Sequence, residues 1–239
     1  MIGRLFQGLF PHYCVFCKLR SQRSVPLCRD CQGELQSNRN CCARCAIPLP
    51  ASREGKVPQL CGNCLQSPPP FHRVIAPWLY TEHMAYLIQR WKFAGEQRLT
   101  PLLASLWLQR AAAPGTVDLL VPVPLHWRRL WRRGFNQSEL LGRQLRAHCP
   151  AFNDIPLDHR RVRRKQPTAA QSGMNARQRA GNLVGAFTVT RPCDNLRVAI
   201  VDDVLTTGAT AAAVAEVLAR AGASHIEVWC LARTAAPQK

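Results

Sequence analysis

Acidic residues are scarce in this chain. It carries 14 Asp and Glu against 32 Lys and Arg in 239 residues, a formal net charge of +18. With so few carboxylates to offset the cations, the sequence implies a polyanionic or phosphorylated partner: nucleic acid, anionic lipid or a phosphate-rich ligand. Long apolar runs are missing too. None approaches the roughly 20 residues of a membrane-crossing helix, so no transmembrane segment is expected. No secretory leader is expected either, because the apolar stretch in the opening MIGRLFQGLFPHYC is short and interrupted by Arg4. Ile2, Leu5, Phe6 and Leu9 do fall on one face of a helical repeat. That face packs on its own domain or docks on a membrane or partner.

Aliphatic residues are few in the first 70 positions, and cysteines stand in their place. Four C-x-x-C pairs occur there: Cys14/Cys17, Cys28/Cys31, Cys42/Cys45 and Cys61/Cys64. Each pair can offer two thiolates to one metal, and two pairs complete a tetrahedral four-thiolate site of the kind zinc prefers. Spacers of 10 and 15 residues separate the members of each set. Pairing in sequence order gives two structural zinc sites, and interleaved pairing stays open. Such closed sites have no free coordination position, so no catalysis is assigned to them. Metal binding would supply the stability that burial cannot, on the order of 10 kcal/mol per site. In a chain this long, the paired spacing fits metal binding in a reducing compartment better than a disulfide scaffold. Cys41 can compete as a ligand, whereas Cys149, Cys193 and Cys230 read as core or bystander residues.

The tract SPPP at 67–70 continues neither helix nor strand and marks a boundary. Residues 1–70 are expected to form the double ribbon, and residues 71–239 a second domain. In the second domain, strand-like and helix-like segments alternate. RVIAPWLY (73–80) reads as an edge strand because of its proline. Residues 82–93 and 98–113 read as helices, and DLLVPVP (118–124) as a strand. FNQSELLGRQLRAH (135–148) reads as a helix with Asn136 and Glu139 spaced as a capping box. LRVAIV (196–201) is a continuous apolar strand, 209–221 a helix closed by Gly222, and HIEVWCLAR (225–233) the last strand. The pattern is that of an α/β domain with a mainly parallel sheet.

VAIVDDVLTTGAT, Val198 to Thr210, is the most informative stretch. Asp202 and Asp203 come at the carboxyl end of a buried strand, where open α/β sheets bind ligands. The loop that follows enters a helix N-terminus. Its backbone N–H groups and Thr hydroxyls suit a phosphate, and Gly208 allows close approach. Two carboxylates beside it suit a sugar diol. Adjacent aspartates also hold Mg²⁺ in phospho-acceptor domains, but those need several further βα units and only one remains here. A structural Asp-Asp turn is the plainest alternative.

The stretch resembles the phosphoribosyl pyrophosphate (PRPP) binding motif of type I phosphoribosyltransferases. Together with VPVPLHWRRLWRRGFNQ (121–137), QPTAAQSGMNARQRAGNLVGAF (166–187) and the cysteine pairs, the chain resembles the ComF/GntX family, linked to DNA uptake and use of extracellular DNA. The resemblance implies a type I phosphoribosyltransferase-like sheet behind the ribbons. It implies that Asp202 and Asp203 hold the ribose hydroxyls and act as the catalytic pair, and that Thr206, Thr207, Gly208, Ala209 and Thr210 cradle the 5′-phosphate. Leu125, His126, Trp127 and Arg128 correspond to the pyrophosphate turn. Arg133 to Gln137 match the family's RGFNQ. Arg164, Thr168, Gln171 and Arg177 correspond to a loop that closes over the site. Mg²⁺ would accompany PRPP and, with arginines, stabilise departing pyrophosphate from an oxocarbenium-like transition state. No residue stands out as a dedicated general base.

Arg128, Arg129, Arg132 and Arg133 alternate with Trp127 and Trp131, and HRRVRRK (159–165) adds five cations. Arginine with aromatics suits single-stranded DNA, because charge follows the backbone and rings stack on bases. Part of this charge can instead serve pyrophosphate, or form a solvated basic face near acidic lipid. The resemblance places the protein on the cytoplasmic side of DNA uptake, with PRPP, single-stranded DNA and a membrane uptake channel as partners, or peripherally at the inner face of the membrane. Three functions follow: a PRPP-dependent transferase, a PRPP-regulated adaptor for single-stranded DNA, and a channel partner docked through the ribbons.

Overall fold

The computed structural model describes residues 12–50, 59–165 and 185–235. In chain order the helices are α1 (Arg29–Gly33), α2 (Gly62–Gln66), α3 (Glu82–Phe93), α4 (Thr100–Arg110), α5 (Trp127–Arg133), α6 (Gln137–His148) and α7 (Ala209–Arg220). The strands are β1 (Arg73–Ile75), β2 (Trp78–Leu79), β3 (Leu119–Pro122), β4 (Val162–Arg164), β5 (Phe187–Val189), β6 (Arg197–Leu205) and β7 (His225–Arg233). A parallel sheet runs β1-β7-β6-β3, with β2 extending the β1 edge along β7. β4 and β5 form a separate antiparallel pair. The expected fold class holds: a parallel sheet with helices behind an N-terminal pair of cysteine-rich ribbons.

The burial pattern explains the apolar strands. Ala199, Val201, Trp229 and Leu231 face one core with Leu87, Trp91, Leu103, Trp107, Leu141 and Leu145 from α3, α4 and α6. Val198, Ile200, Val228 and Cys230 face the other with Val214 and Leu218 of α7. Both faces of β6 and β7 are covered, so their sequences are apolar almost throughout. Four buried tryptophans fill the molecule, and each indole N–H has an acceptor: Trp78 on Leu106 O, Trp91 on Thr100 Oγ1, Trp107 on Cys230 O and Trp229 on Glu227 Oε2.

The ribbons pack into this body. Cys14, Val15, Leu27 and Leu35 belong to the same apolar cluster as Trp107 and Trp229. Buried Asn38 donates to Ala46 O at 2.8 Å and Ala76 O at 3.1 Å, and Leu79 N donates to Gln36 O at 2.9 Å.

Several boundaries differ from the sequence reading. Residues 73–80 form two short strands rather than one, parted at Ala76–Pro77. The 98–113 helix begins as a 3₁₀ turn at Gln97–Leu99 and stops at Arg110. Asn136 caps α6 through Ser138 N, but the Glu139 carboxylate turns to Arg143 at 2.5 Å, so the capping box is only half made. The strand expected to end at 201 continues to Leu205, because β7 still pairs with it there. Residues 127–133, read as a turn and basic run, form a helix.

Candidate anion site and zinc centres

The site begins where β3 stops and β6 goes on. The last β3 register pair is Pro122 with Val201, and Val123 N still reaches Val201 O at 2.9 Å. Beyond it, among the described residues, only β7 flanks Asp202 to Leu205 in the sheet. The Asp203 carboxylate binds Lys92 Nζ at 2.8 Å through Oδ2 and accepts Val204 N at 2.6 Å through Oδ1. Asp202 Oδ1 accepts Asp203 N at 2.8 Å and Ser138 Oγ at 3.3 Å. Loss of water around Asp202, then the neighbouring Asp203 charge, pushes its carboxyl up to about 7. Near neutral pH this group can therefore hold or give up a proton as a ligand requires.

Past Leu205 the chain turns through exposed Thr206 and Thr207 into α7. Gly208 caps the helix at φ 81°, a left-handed conformation that glycine adopts without penalty. Thr207 Oγ1 accepts Ala209 N at 3.3 Å. Asp202, Thr206, Thr207, Gly208 and Thr210 line a cleft of about 30 Å³. The first amides of this 12-residue helix have no intrahelical partner, and such a helix start suits an anion. The loop's other side is held by Arg233, only 5% exposed, which donates to the carbonyls of Leu205, Thr206 and Thr234.

Leu125 is half-buried and leads to buried His126, whose Nδ1 accepts Arg128 N at 3.3 Å and caps α5. Desolvation, then the charges of Arg164, Arg128 and Arg129, holds His126 below its ordinary range. No residue of α5 is buried, and Trp127 and Trp131 are 64% and 87% exposed. Arg128 lies over Trp127, 5.3 Å from its ring centre. Arg132 points to solvent, while Arg129 and Arg133 are half-buried. Arg133 covers the exposed ring of Phe93 at 5.0 Å and feels the Asp203 charge. Half-buried Arg164 lies over Phe187 and is close enough to Asp202 and Arg129 for both charges to act on it. In the second basic run, Arg161 is committed internally, to Asp158 at 3.0 Å and to Pro192 O. Thr168, Gln171, Arg177 and the helix expected over 2–9 lie outside the described residues.

The cysteines gather in sequence order. Cys14, Cys17, Cys28 and Cys31 form one cluster and Cys42, Cys45, Cys61 and Cys64 the other, with the sulfurs of each all within 4.8 Å of one another. Sulfurs are 3.8 Å apart for Cys17–Cys28 and 3.6 Å for Cys45–Cys61. A tetrahedron with Zn–S of about 2.3 Å has edges of about 3.8 Å, so both clusters fit zinc. The two are built alike. In each first pair, the residue after the second cysteine, Lys18 or Ala46, takes positive φ and bonds back to the first cysteine's carbonyl. In each second pair, the first cysteine caps a short helix, α1 or α2. Burial raises the Cys14 and Cys42 thiols, but backbone N–H groups outweigh it and bring them down to about 6 and about 7. Each cluster therefore has one thiol predisposed to the metal-binding thiolate. Cys41 is not among the ligands.

Lys92, Ser138, Phe93 and Arg233 were not identified from sequence. Lys92 lies in the last turn of α3 and Arg233 ends β7, and each is brought in by tertiary packing. Ser138 lies in the helix-start segment between the capping residues Asn136 and Glu139.

A family model described as Double zinc ribbon domain matches residues 5–65. DNA utilization protein YhgH of Salmonella typhi is 37% identical over 231 residues, covering 94% of this chain and 98% of that protein. Competence protein F of Haemophilus influenzae is 36% identical over 237 residues, covering 95% and 99%. Competence protein ComFC of Streptococcus pneumoniae is 29% identical over 162 residues, covering 68% of each. Among solved structures, a purine phosphoribosyltransferase from Pyrococcus horikoshii aligns with 59% of this chain and 75% of its own, at 23% identity and a TM-score of 0.31.

Proposed function

Because the chain belongs to the ComF/GntX family of competence and DNA-utilisation proteins, we propose that it binds PRPP at the end of β6 and holds single-stranded DNA along α5. The observation that carries the first part is the diacid beside an open loop and helix N-terminus. Asp202 and Asp203 accept from the 2′- and 3′-hydroxyls of the ribose. The Thr206–Thr210 amides and hydroxyls take the 5′-phosphate. Leu125 to Arg128 lie toward the pyrophosphate, with Arg129, Arg133 and Arg164 supplying positive charge around it. Lys92 fixes the rotamer of Asp203, and Ser138 that of Asp202. Mg²⁺ would arrive with the pyrophosphate and offset its charge, and carboxylates are among the donors it takes.

Support for the second part is the exposure of two tryptophans on a helix with no buried residue. Surface tryptophans in alternation with arginines offer stacking faces and phosphate partners along one ridge. Phe93 extends that ridge toward Asp203 through Arg133. The +18 charge favours association with a strand. No described helix is long and apolar enough to cross a membrane. On this reading the protein handles incoming strands on the cytoplasmic side of uptake, where reduced thiols can hold zinc.

Equilibrium binding of PRPP with Mg²⁺, compared with ribose 5-phosphate, tests the ligand assignment. Both should bind, and PRPP at least tenfold more tightly because only it reaches the arginines around the pyrophosphate. If neither binds zinc-loaded protein, the assignment is wrong.

A further inference from the structure

Arg233 joins two parts of the molecule that are distant in sequence. It closes β7 and is buried. Its Nε donates to Cys45 O at 3.1 Å. One terminal nitrogen donates to Leu205 O at 2.9 Å, to Thr206 O and to Thr234 O at 3.1 Å. A buried guanidinium needs this many acceptors to offset its lost hydration. The acceptors divide into two groups. Cys45 belongs to the second cysteine cluster, and Leu205 and Thr206 open the Thr-Thr-Gly loop.

The geometry of the peptide unit gives this contact a consequence. Across a planar trans peptide the carbonyl and the following N–H point in opposite directions. Arg233 draws the Leu205 and Thr206 carbonyls toward itself. The amides of Thr206 and Thr207 are thereby turned the other way. Zinc at the second cluster would fix Cys45, Cys45 fixes one edge of the guanidinium, and the other edge fixes the loop amides. Among the described residues no such link leads from the first cluster: Cys14 and its neighbours Val15 and Leu27 pack in the core formed with α3 and α4.

We propose that Arg233 is a positioning residue that couples the second four-cysteine site to the phosphate loop. Zinc there tightens the loop for its anion, and by thermodynamic reciprocity an anion in the loop protects that zinc site. The coupling to ligand rests on reading the loop as the phosphate site. The link from Arg233 to the loop does not.

The test uses the zinc-loaded full chain, with PRPP and Mg²⁺ as probe and Arg233→Lys as the variant. Lysine keeps the charge but has no planar fork to bridge two carbonyls. Without ligand, amides of residues 205–210 should exchange hydrogen about tenfold faster in Arg233→Lys than in the wild type. With saturating PRPP, pulse alkylation of Cys45 and Cys61 in the wild type should slow by about fivefold or more, while Cys17 and Cys31 are unaffected. Arg233→Lys should lose that protection. Unchanged exchange at 205–210 in the variant overturns the proposal. So does PRPP binding that protects neither cluster, both clusters equally, or the variant as well as the wild type. Failure of PRPP to bind the wild type overturns the ligand reading alone, and the ligand-free exchange still decides the link from Arg233 to the loop.

Discussion

Asp202 sits between two charge states at neutral pH. Burial, then the Asp203 charge, raises its carboxyl from an ordinary 3.8 to about 7. A raised folded-state value means that its contribution to stability is fully present below about pH 3.8 and is lost as pH rises through about 7. Asp202→Asn keeps an acceptor oxygen for Ser138 and Asp203 N but cannot ionise. Urea denaturation of ligand-free protein should find the variant more stable than the wild type at pH 8, by on the order of 4 kcal/mol, and about equal to it near pH 4. A variant less stable at pH 8 would mean that the carboxylate is a net stabiliser of the empty site. The two acids and the glycine loop were legible in the sequence because residue type and order carry them. The neighbours that set their charge were not: Lys92 and Ser138 lie 111 and 64 positions from their aspartates.

Helix α5 separates charge from stacking. None of its seven residues is buried, so substitutions at its exposed positions should leave folding intact. Trp131→Ala should weaken binding of an oligo-dT strand by about 1–3 kcal/mol without changing the salt slope. Arg128→Ala, Arg129→Ala and Arg132→Ala should each flatten the slope of log K against log salt by about 0.7 if each meets a phosphate. Fluorescence anisotropy across a salt series separates the two classes, and identical behaviour of Trp and Arg variants would remove α5 as the strand surface. Composition made this ridge visible, yet its helical form was missed. WRRLWRR has no apolar stripe directed at a core, and the helix depends on its ends. His126 caps the start, and Gly134 at φ 78° closes the end by returning its N–H to Leu130 O. Those cap residues were the available signal. Elsewhere, β6 outran its expected end because pairing with β7, rather than local apolarity, decides where it stops.

At the scale of the whole molecule, the ribbons and the sheet share a core. Cys14, Val15, Leu27 and Leu35 pack with Trp107 and Trp229, and Arg233 holds Cys45. Stripping zinc should therefore disturb more than the first 66 residues. With binding worth on the order of 10 kcal/mol per site, chelation should lower the melting temperature by about 10 °C or more. It should also alter the near-ultraviolet signal of the buried tryptophans. Melting unchanged by chelation would make the clusters ornaments of an independently stable sheet. The C-x-x-C spacing made the two clusters legible but left interleaved pairing open, and the fold is what groups the pairs in sequence order. It could not reveal how the ribbons dock, because that depends on scattered apolar residues and on one buried arginine at the far end of the chain.

Calorimetric titration of PRPP with Mg²⁺ into zinc-loaded protein, beside Asp202→Asn/Asp203→Asn, tests the β6 site most directly. Saturable binding to the wild type that is lost in the folded double variant is expected. A folded, zinc-loaded wild type that gives no binding heat at several temperatures, or a double variant that binds as tightly, would contradict the assignment of the diacid and its loop to a phosphorylated sugar.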